Sequence, residues 1–143
     1  METKRIRVAD PKMATEEELK EAARILREGG LVAFPTETVY GLGANALDEK
    51  AAKKIYAAKG RPSDNPLIAH ISGQEELKPL AAEIPDMAKK LMDLYWPGPM
   101  TLVFKKTDAV PYGTTGGLDT VAVRMPSDPV AKTLIRLAGV PIA

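Results

Sequence analysis

The chain has 143 residues, of which 45% are hydrophobic, 27% charged and 5% aromatic, enough for one domain with a real core. Its 20 Lys and Arg against 19 Asp and Glu leave a net charge of +1, which excludes a polybasic nucleic-acid binder though not a local basic patch. No cysteine is present, so disulfide frameworks, thiolate metal centres and thiol nucleophiles are excluded together, and one histidine builds no His-rich metal site.

No apolar run approaches the ~20 residues of a membrane span, and residues 1–10 are too charged for a signal peptide, so the expected setting is cytoplasmic with no membrane partner.

In chain order, residues 4–8 alternate charge with Ile or Val, the pattern of a half-buried strand. Thr15 with Glu18 reads as a capping box opening a helix whose buried stripe is Leu19, Ala22, Ala23 and Leu26, with Gly29-Gly30 as its stop. Residues 31–34 are wholly apolar, as in a central strand buried on both faces, and a loop follows over 35–45. Asp48 caps a helix to Lys59 that buries Ala51, Ala52 and Ile55. Residues 66–71 are a strand, and 74–82 and 85–95 are helices. Trp96-Pro97-Gly98-Pro99 breaks the chain before a strand over 100–104, and 111–118 are Gly/Thr-rich loop. Residues 120–125 form a strand paired antiparallel with 100–104, and Ser127 caps a last helix to Ala138. Val140-Pro141-Ile142-Ala143 reads as the start of a buried strand cut short. The sum is one α/β domain, residues 1–143, with a mixed sheet and flanking helices.

Several segments have the makings of a site. Pro35-Thr36-Glu37-Thr38-Val39-Tyr40-Gly41-Leu42-Gly43 leaves the carboxyl end of a strand, where open sheets place ligands, and offers hydroxyls beside a carboxylate; a turn with self-satisfied side chains is the alternative. It lacks the Walker pattern. In Lys59-Gly60-Arg61-Pro62-Ser63-Asp64-Asn65-Pro66 an ammonium and a planar guanidinium stand two residues apart on a proline-stiffened loop, the makings of an anion site. His70 lies near a strand end, as base or hydrogen-bond partner. Arg124 falls opposite Val121 and Val123, and a protein or a ligand carboxylate would satisfy it. Trp96 reads as an aromatic plug and the six methionines as core filler.

Pro35-Thr36-Glu37-Thr38-Val39-Tyr40-Gly41-Leu42, Lys59-Gly60-Arg61-Pro62 with Asn65-Pro66-Leu67, His70, Trp96-Pro97-Gly98-Pro99-Met100-Thr101 and Thr120-Val121-Ala122-Val123-Arg124-Met125-Pro126 together resemble the YrdC family, the threonylcarbamoyl-AMP synthases, collinearly from about Ala14 onward. The resemblance implies a twisted mixed, parallel and antiparallel, sheet around a concave cavity. It implies a nucleotidyltransferase that makes threonylcarbamoyl-AMP and pyrophosphate from L-threonine, bicarbonate and ATP, with Mg²⁺ accompanying the nucleotide. The product passes to a separate transferase that modifies tRNA. Carried over by motif, Thr38, His70 and Arg124 contact threonine. Lys59, Arg61, Asn65 and Thr120 contact ATP, and Lys59 with Arg61 form the catalytic Lys-x-Arg signature. No metal ligand from the protein is implied. The family's Ser-x-Asn signature follows shortly after Pro-Ile-Ala, and the sequence ends before it, so the domain is expected to be incomplete there and these residues alone to turn over poorly. The competing readings are an RNA-binding module of the same fold, with weak RNA binding, a carbamoyl-adenylating domain of the hydrogenase-maturation type, and an inert structural domain.

Overall fold

Helix α1 (Glu16–Arg27) begins at the capping box that the sequence specifies: the Thr15 hydroxyl accepts the Glu18 N–H at 3.2 Å while Glu18 accepts the Thr15 N–H at 3.1 Å. This is a computed structural model, and it describes residues 3–10, 15–36, 39–60, 62 and 64–143. The apolar stripe of α1 packs on α5 (Pro129–Ala138), and Leu26, Leu134, Ile135 and Ile142 are fully buried in the core between them. The helix α5 is capped by Asp128, whose carboxylate accepts the Val130 and Ala131 N–H groups, rather than by Ser127. With Pro129 at the first helical position, the residue before it is the one placed to reach those donors.

Strand β1 (Val32–Pro35) pairs antiparallel with β2 (Tyr40–Gly43). Two expectations are corrected here. The segment 35–45 contains a strand, and β1 is one limb of a two-stranded ribbon rather than a central strand; Ala33 is exposed and only Phe34 is buried. Asp48 caps α2 (Glu49–Lys59), which buries Ala51, Ala52, Ile55 and Tyr56, and Gly60 ends it in the left-handed conformation.

The second sheet has the order β3 (Ile68–His70), β5 (Thr120–Arg124), β4 (Thr101–Lys105), with β3 parallel and β4 antiparallel to β5. One of its faces, carrying Ala69, Val121, Val123 and Phe104, is buried in the core. Residues 141–143 join the two sheets: Ala143 exchanges backbone bonds with Ala44, and Ile142 with His70. The buried segment expected at 140–143 is therefore present.

Three further segments differ from expectation. Among the described residues nothing pairs with residues 4–8 as a strand; they run along α1, tied by Lys4 to Glu21 at 3.3 Å and by the Ala9 N–H to Glu18 at 2.8 Å. Residues 74–82 form no continuous helix: the short turn Gln74–Glu76 is followed by a second turn in which the Leu80 and Ala81 N–H groups donate to the Leu77 carbonyl, because Pro79 supplies no N–H and its ring clashes with a preceding helical carbonyl. The Gly/Thr-rich segment holds one helical turn, α4 (Tyr112–Thr115), closed by left-handed Gly116. The helix α3 (Asp86–Tyr95) forms as expected, and Trp96 is buried; Met92 and Met125 fill core but Met87 is 66% exposed.

Candidate active site

The sheet's other face is half-open, and strand alternation decides what it carries. Thr120, Ala122 and Arg124 point away from the buried side of β5, and the register places His70 and Thr101 on either side of Arg124. The row Thr101–Arg124–His70 thus crosses three strands. Arg124 Nε donates to Thr101 Oγ1 at 2.8 Å, and among the described residues no carboxylate pairs with the guanidinium. His70 Nδ1 lies 3.1 Å from the Ile142 carbonyl oxygen, which can only accept. Nδ1 therefore carries a proton.

The opposite end of β5 carries Thr120, about 13 Å from Arg124 at the usual rise per residue. The loop after α2 is docked here. The Leu67 N–H donates to the Thr114 carbonyl at 2.9 Å, and the Tyr56 hydroxyl donates to the Asn65 carbonyl at 2.7 Å. Gly116 approaches so closely that a Cβ there would lie 2.7 Å from the Asp64 carbonyl oxygen. Lys59 is exposed in the last turn of α2, and Asn65 is exposed on the same loop. Beside Thr120, Asp119 accepts the Tyr112 hydroxyl at 2.8 Å and Lys106 lies 4.2 Å from the Tyr112 ring centre. The Asp119 carboxylate pushes the Tyr112 phenol above its usual range, keeping it a neutral donor.

The expected site residues are therefore divided between two ends of one sheet face. His70 and Arg124 are neighbours at one end; Asn65 and Thr120 stand at the other, with Lys59 at the start of the docked loop. Thr38 and Arg61 lie outside the described residues. In the β1–β2 turn, Thr36 bonds the Val39 carbonyl through its own N–H and hydroxyl. A cleft of about 250 Å³ lies beyond the carboxyl ends of β3 and β5, lined by Ser72, Ser127, Pro129, Lys132, Thr133 and Arg136, and none of the expected residues lines it. Sequence reading missed Thr101: its motif reads as an aromatic plug, and only the antiparallel register of β4 and β5 brings the hydroxyl to Arg124.

The fold has counterparts among known proteins. The Sua5/YciO/YrdC family, described as "Telomere recombination", matches residues 24–143. Threonylcarbamoyl-AMP synthase from Pyrococcus abyssi is 63% identical over 122 residues, covering 85% of this chain and 36% of the relative. The synthase from Bacillus subtilis is 53% identical over 146 residues, covering all of this chain and 42% of the relative. The crystal structure of P. abyssi Sua5 complexed with L-threonine superposes with a TM-score of 0.89 at 60% identity, covering 92% of this chain and 38% of that one. The chain belongs to the Sua5/YciO/YrdC family, and it spans less than half the length of these relatives.

Proposed function

We propose that the chain is the substrate-binding part of an L-threonylcarbamoyladenylate synthase, a nucleotidyltransferase that forms threonylcarbamoyl-AMP and pyrophosphate. The observation that carries this is the pairing of His70 with Arg124 at one end of an open sheet face whose other end bears Thr120 and the Lys59–Asn65 loop. The relatives' names and the threonine complex of P. abyssi Sua5 support the same reading.

Arg124 receives the threonine carboxylate, whose negative charge matches a guanidinium that no described carboxylate neutralises. His70, with Nδ1 protonated toward Ile142, presents Nε2 as an acceptor toward the amino acid's polar hydrogens. The threonine amine condenses with bicarbonate to a carbamate with loss of water. A carbamate oxygen then attacks the α-phosphorus of ATP, forming the acyl–phosphate bond as the bond to pyrophosphate breaks. Lys59 and Arg61 offset the charge that builds on the phosphates, while Asn65 and Thr120 orient the nucleotide; the task is positioning and electrostatics, with no covalent nucleophile. Mg²⁺ would accompany the nucleotide, ligated chiefly by its phosphates. The product would pass to a separate tRNA-modifying transferase.

The test is pyrophosphate release with ATP, Mg²⁺ and bicarbonate, with and without L-threonine, in this chain and in a chain continued through the family's Ser-x-Asn segment. The expected result is release that depends on threonine and is stronger in the longer chain. Release indifferent to threonine removes the synthase reading.

A further inference from the structure

We propose that Thr101 is a positioning residue for Arg124: it fixes the guanidinium plane so that the Nη1/Nη2 end meets the amino-acid carboxylate. This rests on the proposed threonine-binding role of Arg124. A guanidinium can grip a carboxylate end-on through both Nη groups or side-on through Nε and one Nη. The Nε–H is committed to Thr101 Oγ1 at 2.8 Å, which leaves the end-on fork. Thr101 and Arg124 are direct cross-strand partners, so the hydroxyl acts from the neighbouring strand across the shortest path a sheet offers.

The preceding turn holds Thr101 in place. Trp96 is buried, its indole N–H donates to the Met100 carbonyl at 2.9 Å, and the Gly98 N–H donates to the Met125 carbonyl at 2.8 Å. The turn is thereby tied both to the residue before Thr101 and to the residue after Arg124. The motif Trp96-Pro97-Gly98-Pro99-Met100-Thr101 thus acquires a role beyond filling space: it sets where β4 begins, and so which side chain faces Arg124. An arginine free to rotate would lose much of its flexible side chain's entropy on binding; one already tethered loses less.

Three proteins decide it: the wild type, Thr101→Val and Thr101→Ser. Thr101→Val keeps the branched shape and β preference of the side chain and replaces the hydroxyl, with its acceptor oxygen, by a methyl. In ¹H–¹⁵N spectra the Arg124 Nε–H should exchange faster with water in Thr101→Val and return toward wild type in Thr101→Ser. Calorimetric titration should show threonine affinity falling about tenfold in Thr101→Val, with ATP affinity changed less than about twofold, and recovery in Thr101→Ser. Wild-type threonine affinity in Thr101→Val overturns the proposal, and so does equal loss of both ligands, which marks a folding defect. A wild-type chain that takes up no threonine overturns the reading of the site and this proposal with it.

Discussion

Gly116 is the contact through which α4 holds the Asp64–Pro66 backbone, and replacing it with alanine should move that loop. Two costs are expected. Gly116 has φ of +64°, and an L side chain in the left-handed region costs about 1–2 kcal/mol. The new Cβ would lie 2.7 Å from the Asp64 carbonyl oxygen and 3.0 Å from the Pro66 nitrogen, where ordinary contact starts at 3.4 Å, so the backbone must yield by several tenths of an ångström. Forced contacts of that kind add about 1–3 kcal/mol. Gly117 is the built-in control: its φ is +86°, yet a Cβ there meets nothing within 4 Å. Gly117→Ala should therefore lower Tm by only a few degrees (about 2–4 °C per kcal/mol at this size), and Gly116→Ala by clearly more. Displacing the docked loop should also raise the ATP requirement roughly tenfold in Gly116→Ala alone, with the threonine requirement little changed. Thermal unfolding and calorimetric titration with each ligand check both arms. Identical behaviour of the two variants would refute the claim that this contact sets the loop.

Other outcomes follow from the same geometry. Arg124→Lys keeps the charge but loses the planar fork, so threonine affinity should fall about tenfold or more while ATP affinity holds, as calorimetric titration would show. Leu134→Ala opens a cavity at the fully buried α1–α5 contact and should cost about 2–5 kcal/mol in denaturant unfolding. Arg24 first and Lys4 second hold the Glu21 carboxyl at about 2, below its ordinary 4.5. A depressed folded-state value stabilises above the unfolded value and is lost on acidification, so the tie of residues 4–9 to α1 should loosen between about pH 4.5 and 2. Hydrogen exchange at the start of α1 should show that loosening, and Glu21→Gln should weaken its pH dependence, leaving the part that Glu18 carries through the Ala9 N–H.

Local signals in the sequence are read well where the structure they specify is local. The Thr15–Glu18 box, the Asp48 cap and the stripes of α1 and α2 depend on residues within one or two turns, and all are present. The antiparallel pairing of β4 with β5 and the outward placement of Arg124 follow from period-2 alternation and from the lack of a full crossover helix between the two strands. What escaped was set by distant or overriding contacts. Residues 4–8 have the alternation of a strand without a described strand beside them, and Pro79 outweighs an otherwise helical run. The site divides in the same way. His70 and Arg124 were legible as residues, but their adjacency depends on parallel pairing of segments more than fifty positions apart. Thr101 was hidden for the same reason: no pattern around it announces Arg124, which only the register supplies.

In the proposed synthase, one sheet face holds threonine at the His70–Arg124 end and the nucleotide at the Asn65–Thr120 end. Backbone ¹H–¹⁵N spectra of the chain titrated separately with L-threonine and with ATP test it most directly. Threonine should shift resonances around His70, Thr101 and Arg124, and ATP those around Lys59, Asn65 and Thr120. Shifts from both ligands at one end, or confined to the cleft lined by Ser72, Ser127 and Lys132, would contradict it.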